Sequence, residues 1–370
     1  MVSSCYLFTL LFAWIVGVKG ADSTTYGLVR DYSGENFFDG WTFYGEFDNV
    51  TNGDADFVAK ENSSDLAFFD STTGHTIMKV DNTSAVLFNE KRRTVRITSD
   101  FAYDIGSVFV FDVYHMPFGC SVWPAMWTTA LLQPGQKWPT GGEIDIMEGI
   151  NLNPNPQMGL HTTSGCTQMD PKQSSSFING TDCQGAGGCI TTYDDEASYG
   201  TAFAAKGGGA FVTEFSNNGI SMWFFERPNV PDSLKNNESS IDTSTLGIPM
   251  GHYPSTGCDI GEFFGKQNLI FDITLCGDFA GAPTFFSLTC TGQCYQDYVM
   301  GDGSVYGDAY FEVDYVRVFS LNGTEPPSSS SPSSSSSVAL PTMHKVQGNG
   351  VTRVRISWLF AVIVGVVLWA

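Results

Sequence analysis

Short apolar stretches with a period of two recur along the chain, separated by glycine and polar turns. HTIMKV (75–80), TVRITS (94–99), SVFVFDVYHM (107–116), GEIDIME (142–148), QMGLHTT (157–163), GISMWFFE (219–226), NLIFDITL (268–275) and YFEVDYVRVF (310–319) all read as strands. The last shows the logic. Phe311, Val313 and Tyr315 fall on one face, with Arg317 at its end. Glu312 and Asp314 fall on the other, which turns apolar at Val316 and Val318. Two unlike faces are the mark of an antiparallel sheet packed on a core on one side. No long run has helical spacing, and there is no internal repeat. About a dozen strands in roughly 300 residues predict an all-β fold, a jelly-roll sandwich of two antiparallel sheets.

Composition narrows the chemistry. Of 370 residues 42% are hydrophobic and 15% charged, which excludes a disordered chain. Acidic residues number 39 against 18 Lys plus Arg, for a net charge of −21. Nucleic acid is excluded as a partner, because binding its backbone needs a basic face. Phosphorylated substrates are disfavoured by the same repulsion, and a neutral or cationic substrate fits better.

Both ends read as addresses. Residues 5–18 (CYLFTLLFAWIVGV) are apolar and too short to span a bilayer, and Val18-Lys19-Gly20 precedes a cut ahead of Ala21. Residues 1–20 are therefore expected to be a signal peptide. At the other end, 356–370 (ISWLFAVIVGVVLWA) is uncharged and would reach only about 22 Å as a helix, short of the hydrocarbon core. Residues 348–370 are expected to be a GPI-attachment signal, the protein's link to a membrane. A Ser/Pro-rich stalk fills 323–347 and can build no core. Lys19, Lys345, Arg353, Arg355 and Glu325 leave with the ends, so the domain 21–322 holds 14 basic and 38 acidic residues. Export predicts the outer face of the plasma membrane or the cell wall, and a monomer.

Cysteine usage agrees with export. Cys5 leaves with the signal; Cys120, Cys166, Cys183, Cys189, Cys258, Cys276, Cys290 and Cys294 remain, an even set that predicts disulfides. Cys183 with Cys189 and Cys290 with Cys294 are close enough for local loops. No His stands beside them at zinc-ligand spacing, so no metal is expected. Six Asn-x-Ser/Thr sites (Asn49, Asn62, Asn82, Asn179, Asn237, Asn322) fit the secretory route.

The sharpest chemistry is WPTGGEIDIMEG (138–149), three carboxylates within six residues. On a strand, Glu143 and Asp145 share one face, and Ile144 and Ile146 the other. Strict alternation would send Glu148 into the core, where an ionised carboxylate is costly. A one-residue bulge near Met147 turns it back, placing three acids in a row on one exposed face. A solvated edge strand or a hard cation could explain such a row. Against the first, Trp123, Trp127 and Trp138 stand close by, and flat aromatics beside carboxylates suit sugar rings. Against the second, further oxygen ligands at loop spacing are missing. Paired carboxylates beside aromatics point to glycoside hydrolysis, with no cofactor.

WPAMWTT (123–129) followed by WPTGGEIDIMEG resembles glycoside hydrolase family 16, in particular its laminarinase-like fungal branch. The E-x-D-x-x-E spacing is that branch's signature; the lichenase and transglycosylase branches have E-x-D-x-E. VRITSDFAYDIG (95–106), HMPFGCSVWPAMW (115–127), GLHTTSGC (159–166), LIFDITLCGDFAG (269–281) and EVDYVRVF (312–319) extend the likeness across the domain. The resemblance implies a jelly-roll with a glucan cleft in a curved sheet. It implies Glu143 as nucleophile, Glu148 as general acid/base, Asp145 as helper between them and His161 as a cleft histidine. A retaining mechanism would need the two glutamate carboxyls about 5–5.5 Å apart. Trp123, Trp127 and Trp138 are candidates for stacking glucose, and Arg96 for reaching the cleft. Phe279 stands where many relatives have Trp, so that subsite lacks an indole N–H. The expected activity is cleavage of internal β-1,3 or mixed β-1,3/1,4 bonds of a β-glucan. A cell-wall transglycosylase is the first alternative and a non-catalytic glucan lectin the second.

Overall fold

β-Branched and aromatic side chains at alternate positions fit a pleated, half-buried surface and drive these segments into strands. In the computed structural model of this protein, residues 25–321 and 323–324 are described, apart from 177–179, 196 and 237. The expected signal peptide, nearly all of the stalk, the attachment signal, Asn179, Asn237 and Asn322 lie outside the described residues. Among the described residues there are eighteen strands and only short helices, the longest Pro283–Thr289, so the all-β expectation holds. None of these helices is long and apolar enough to cross a membrane.

Two antiparallel sheets carry the fold. One has seven strands in the order Cys189–Thr192, Gln157–His161, Glu143–Glu148, Val122–Thr129, Gln267–Leu275, Arg96–Tyr103, Trp41–Phe43. The other has nine, with Tyr310–Ser320 and Ser107–His115 paired at its centre. Between them lies the main core, including Ile144, Ile146, Met147, Met126, Met158, Leu160, Phe271 and Phe111. A smaller cluster built on Val108, Val110, Ala210, Val212 and Trp223 covers the outer side of the nine-stranded sheet.

The strand Tyr310–Ser320 departs from the simple alternation. Its pairing with Ser107–His115 slips between Val313 and Tyr315. Phe311, Val313, Val316 and Val318 consequently all face the main core, while Tyr315 and Phe319 join the outer cluster. The slip resolves the puzzle of a face that changes from acidic to apolar partway along.

The disulfides are Cys120–Cys290, Cys166–Cys258, Cys183–Cys189 and Cys276–Cys294. The local 183–189 loop forms as expected, but Cys290 and Cys294 do not bond to each other. Strand pairing supplies the reason. Val122 stands opposite Leu275, so Cys120 and Cys276 emerge side by side at one end of the seven-stranded sheet. Each catches a different cysteine of the segment that follows the helix Pro283–Thr289. The segment bearing Phe279 is thereby clamped to the sheet. A non-reducing peptide map should return Cys120–Cys290 and Cys276–Cys294, and a Cys290–Cys294 peptide would refute this pairing. The double variant Cys276→Ser/Cys294→Ser should lose about 2–4 kcal/mol in urea unfolding.

Candidate active site

The acid strand owes its entry geometry to two glycines. Gly141 and Gly142 have φ of +81° and +74°, a region that side chains avoid. A Cβ on Gly142 would stand 2.3 Å from the Phe264 ring, and one on Gly141 2.6 Å from Ala130. Gln267 holds this turn by donating to the Gly141 carbonyl (2.9 Å) while accepting from Thr128 Oγ1 (2.8 Å).

From there the bulge forms where the charge pattern requires one. Asp145 pairs with Trp127, but Met147 pairs with Met126, so Ile146 is the extra residue. Ile144, Ile146 and Met147 all enter the core, and Glu143, Asp145 and Glu148 all turn to the opposite face. That face is less open than expected: Asp145 is buried and the two glutamates are half-buried. Neighbouring strands set what meets each acid. Glu143 lies between Thr129 and His161, Asp145 between Trp127 and Gly159, and Glu148 between Ala125 and Gln157. Gly159 leaves room at the centre, since a Cβ there would meet Ile190 at 2.5 Å and Asp145 Oδ2 at 3.3 Å.

Each acid has its own donor. Trp138 Nε1 donates to Glu143 Oε2 at 2.9 Å. Trp123 Nε1 donates to Glu148 Oε1 at 2.8 Å, and Gln157 Nε2 to Glu148 Oε2 at 2.7 Å. His161 Nε2 lies 3.1 Å from Asp145 Oδ2, and His161 Nδ1 donates to the Gly185 carbonyl at 2.7 Å. Burial lowers the His161 pKa, but the hydrogen bond and charge of Asp145, then the charge of Glu143, outweigh it and bring the group to about 10. His161 is therefore an imidazolium at neutral pH, donating from both nitrogens.

The two glutamates are pushed upward, first by burial and next by the charge of Asp145. A proton among them near neutral pH is the consequence. Glu143, Asp145 and His161 also bring one donor atom each within 4.8 Å, a spacing that suits a cation. Both nitrogens of that imidazole are already engaged, by Asp145 and by the Gly185 carbonyl.

The sequence-predicted aromatics gather around these acids. Trp123 and Trp127 are half-buried and Trp138 is 41% exposed, and none belongs to either core cluster. Phe279 meets the Trp123 ring edge-on at 5.5 Å. Trp127 Nε1 donates to Asp272 Oδ1 at 3.1 Å. Arg96 is buried between the rings of Trp127 and Tyr44, 5.1 and 4.8 Å from their centroids, and 3.7 Å from Asp272. Arg96 thus supports the wall behind Trp127 as an ion pair. A pocket of about 250 Å³ opens beside Glu148, with Gln157, Asn153, Asn155, Thr192 and Phe279 in its lining.

Sequence reasoning missed Gln157, Gly159, Asp272 and Gln267. For the first two the signal was available. In QMGLH, period two places Gln157 and Gly159 on the face of His161. Gln267 and Asp272 gave none, because their roles come from pairing with a strand more than a hundred residues away.

Residues 41–319 match the family described as XgeA-like, catalytic GH16 domain. A probable glycosidase of Schizosaccharomyces pombe is 34% identical over 303 residues, covering 80% of this chain and 69% of that protein. The endo-1,3(4)-beta-glucanase xgeA of Emericella nidulans is 31% identical, covering 82% of this chain and 48% of its own length. The chain thus spans about half the length of that relative. Among solved structures, GH16 Laminarinase 16A from Phanerochaete chrysosporium superposes with a TM-score of 0.74 at 34% identity, over 80% of this chain and 99% of the other. An elongating GH family 16 beta-1,3-glucosyltransferase superposes with a TM-score of 0.71 at 33% identity, over 80% of this chain and all of the other (100%).

The proton inventory sets a sign for stability against pH. His161 is raised from 6.5 to about 10, and both glutamates are raised from 4.5. The stabilisation linked to a raised group is complete below its unfolded pKa and drains as pH climbs through the folded one. Urea unfolding should therefore show the wild type losing stability from about pH 4.5, through the glutamates, up to about pH 10, with the part of the loss above about pH 6.5 smaller in His161→Gln. An equal loss in both proteins would mean that His161 is uncharged in the fold.

Proposed function

The chain belongs to glycoside hydrolase family 16, and on that premise we propose that it is an endo-β-glucanase. It cleaves internal β-1,3 or mixed β-1,3/1,4 glucosidic bonds with retention at the anomeric carbon. One observation carries the reading: the bulge at Ile146 turns both glutamates of one strand onto one face, with the Asp145–His161 pair seated between them.

In this reading Glu148 starts protonated and Glu143 ionised. Glu148 gives its proton to the glycosidic oxygen as the C1–O bond breaks, the bond's electron pair staying on the leaving oxygen. A Glu143 oxygen bonds to C1 as the leaving group departs. In the second step water gives a proton to Glu148 and its oxygen to C1, and the bond to Glu143 breaks. The charge of Asp145 raises both glutamates, which keeps a proton between them near neutrality, and the reaction proceeds from the form in which Glu148 holds it. His161 balances that charge and fixes Asp145. Trp123, Trp127, Trp138 and Phe279 offer ring faces and edges along the line where glucose units would stack.

The related elongating glucosyltransferase favours a second reading, in which a sugar hydroxyl replaces water in the second step. Product analysis on laminarin, on mixed-linkage glucan, and with an added oligosaccharide acceptor separates the two. Glu143→Ala should lower turnover by at least about 1,000-fold while leaving laminarin binding largely intact. The pH–rate profile of the wild type should be bell-shaped, with Glu148 setting the alkaline limb. Retained turnover in Glu143→Ala, or an alkaline limb that persists in Glu148→Gln, would remove these assignments.

Four disulfides support an oxidising compartment and hence export. Asn49 and Asn62 are exposed, as glycosylation requires. We place the protein on the outer face of the plasma membrane or in the cell wall, held by the expected anchor. A phospholipase specific for phosphatidylinositol anchors should release it from intact cells, and activity that stays with the membrane would refute that anchor.

A further inference from the structure

On the reading that Glu148 is the acid/base, we infer that Gln157 is the positioning residue that serves both of its protonation states, and that Oε2 is the oxygen carrying the proton. Glu148 has one close partner on each oxygen: Trp123 Nε1 on Oε1 at 2.8 Å and Gln157 Nε2 on Oε2 at 2.7 Å. An indole can only donate. Oε1 must therefore stay an acceptor in both states for as long as Trp123 holds it. The Trp123 ring is braced edge-on against Phe279, which in turn meets Phe285 edge-on at 4.9 Å.

A carboxamide differs from an indole in carrying a donor and an acceptor on one carbon. Its last torsion is broad and nearly two-fold, so a half-turn exchanges them at small cost. With Glu148 ionised, Gln157 N–H donates to Oε2, the arrangement observed. With Glu148 protonated, Oε2–H donates to the Gln157 carbonyl. The same half-turn aims the Gln157 NH2 away from Glu148. Gln157 stands opposite Thr192 at the sheet's outer strand, and both line the pocket beside Glu148 together with Asn153 and Asn155. A hydroxyl in that pocket, from the leaving sugar, from water or from a second sugar, would take the freed donor. The amide therefore couples the proton on Glu148 to occupation of the pocket.

The remaining groups facing Glu148 cannot take this part. Asp145 and His161 act on it through charge, Glu143 is coupled to it by mutual repulsion, and Ala125 on the adjacent strand has no polar side chain. A Lys or Arg in place of Gln157 would hold Glu148 ionised, and an acid would add a second proton site.

The test uses three proteins: wild type, Gln157→Met and Gln157→Glu. Gln157→Met keeps the length and removes both the donor to the ionised form and the acceptor for the protonated one, of which the bond to the charged form is the stronger. The alkaline limb of kcat/KM should move up by about one pH unit. On laminarin, kcat should fall ~10- to 100-fold with KM nearly unchanged. A nitrophenyl laminarioside needs no proton on its leaving group, so its nitrophenolate burst should stay within about threefold of wild type. Gln157→Glu should move the alkaline limb further up. An unmoved limb in Gln157→Met, or equal losses on laminarin and in the burst, would reduce Gln157 to a packing role and overturn the inference. A wild type that releases no reducing ends from laminarin would overturn the glucanase reading itself, and this inference with it.

Discussion

Three carboxylates sharing one strand face repel one another, and the cleft wall is organised to contain that repulsion. Burial makes the problem worse, since Glu143 and Glu148 lose solvent and feel the charge of Asp145. One imidazolium answers it. His161 lies against Asp145 at 3.1 Å and is anchored from behind by the Gly185 carbonyl. With the central pair neutralised, the flanking glutamates can divide a single proton between them. A retaining double displacement asks for that state: one carboxylate free to attack, one carboxyl ready to donate. The arrangement is electrostatic before it is catalytic, and removing any one charge changes what the other three can hold.

The indoles have two duties in this wall. Trp123, Trp127 and Trp138 each direct the ring N–H at a carboxylate: Glu148, Asp272 and Glu143 respectively. A ring pinned by its edge keeps its orientation without substrate, which lowers the entropy lost when a sugar stacks on it. The pinning also stabilises the ionised form of each acid it touches. Asp272 shows the balance: burial pushes it up to about 6, with Arg96 and Trp127 pulling the other way. Aromatic placement and acid strength are therefore a single property of this sheet.

Much of this was legible in the sequence, because alternation and charge are local. EIDIME contains its own contradiction: strict period two would bury Glu148, so the charge pattern alone demands a bulge. The row Gln157, Gly159 and His161 was equally readable, since each is two residues from the next. What was not legible depends on register between distant segments. Cys290 and Cys294 look like a local pair until Val122 is found opposite Leu275, which brings Cys120 and Cys276 together as their true partners. In FEVDYVRV the change of face midway reflects a slip against Ser107–His115, which a single strand cannot disclose. Asp272 falls with Asn268 and Thr274 on the polar face of NLIFDITL, and only the neighbouring strand makes it the acceptor for Trp127.

The same register argument bears on whether water or sugar completes the reaction. The second step needs an acceptor hydroxyl within reach of Glu148, and the pocket at that end is bordered by Gln157, Asn153, Asn155 and Phe279. Amides bind water and sugar hydroxyls alike, so they do not choose between them. A ring does, because stacking rewards a sugar and not a water molecule. Phe279 lies edge-on to Trp123 and is tied to the sheet end through the Cys276–Cys294 bridge. It supplies an aromatic surface without the indole donor that Trp would add at that position. For a sugar entering this pocket, ring contact at Phe279 would add to the hydrogen bonds that the amides offer. The wall itself therefore leans toward a sugar, and it is the high concentration of water against a dilute acceptor that carries the second step to hydrolysis.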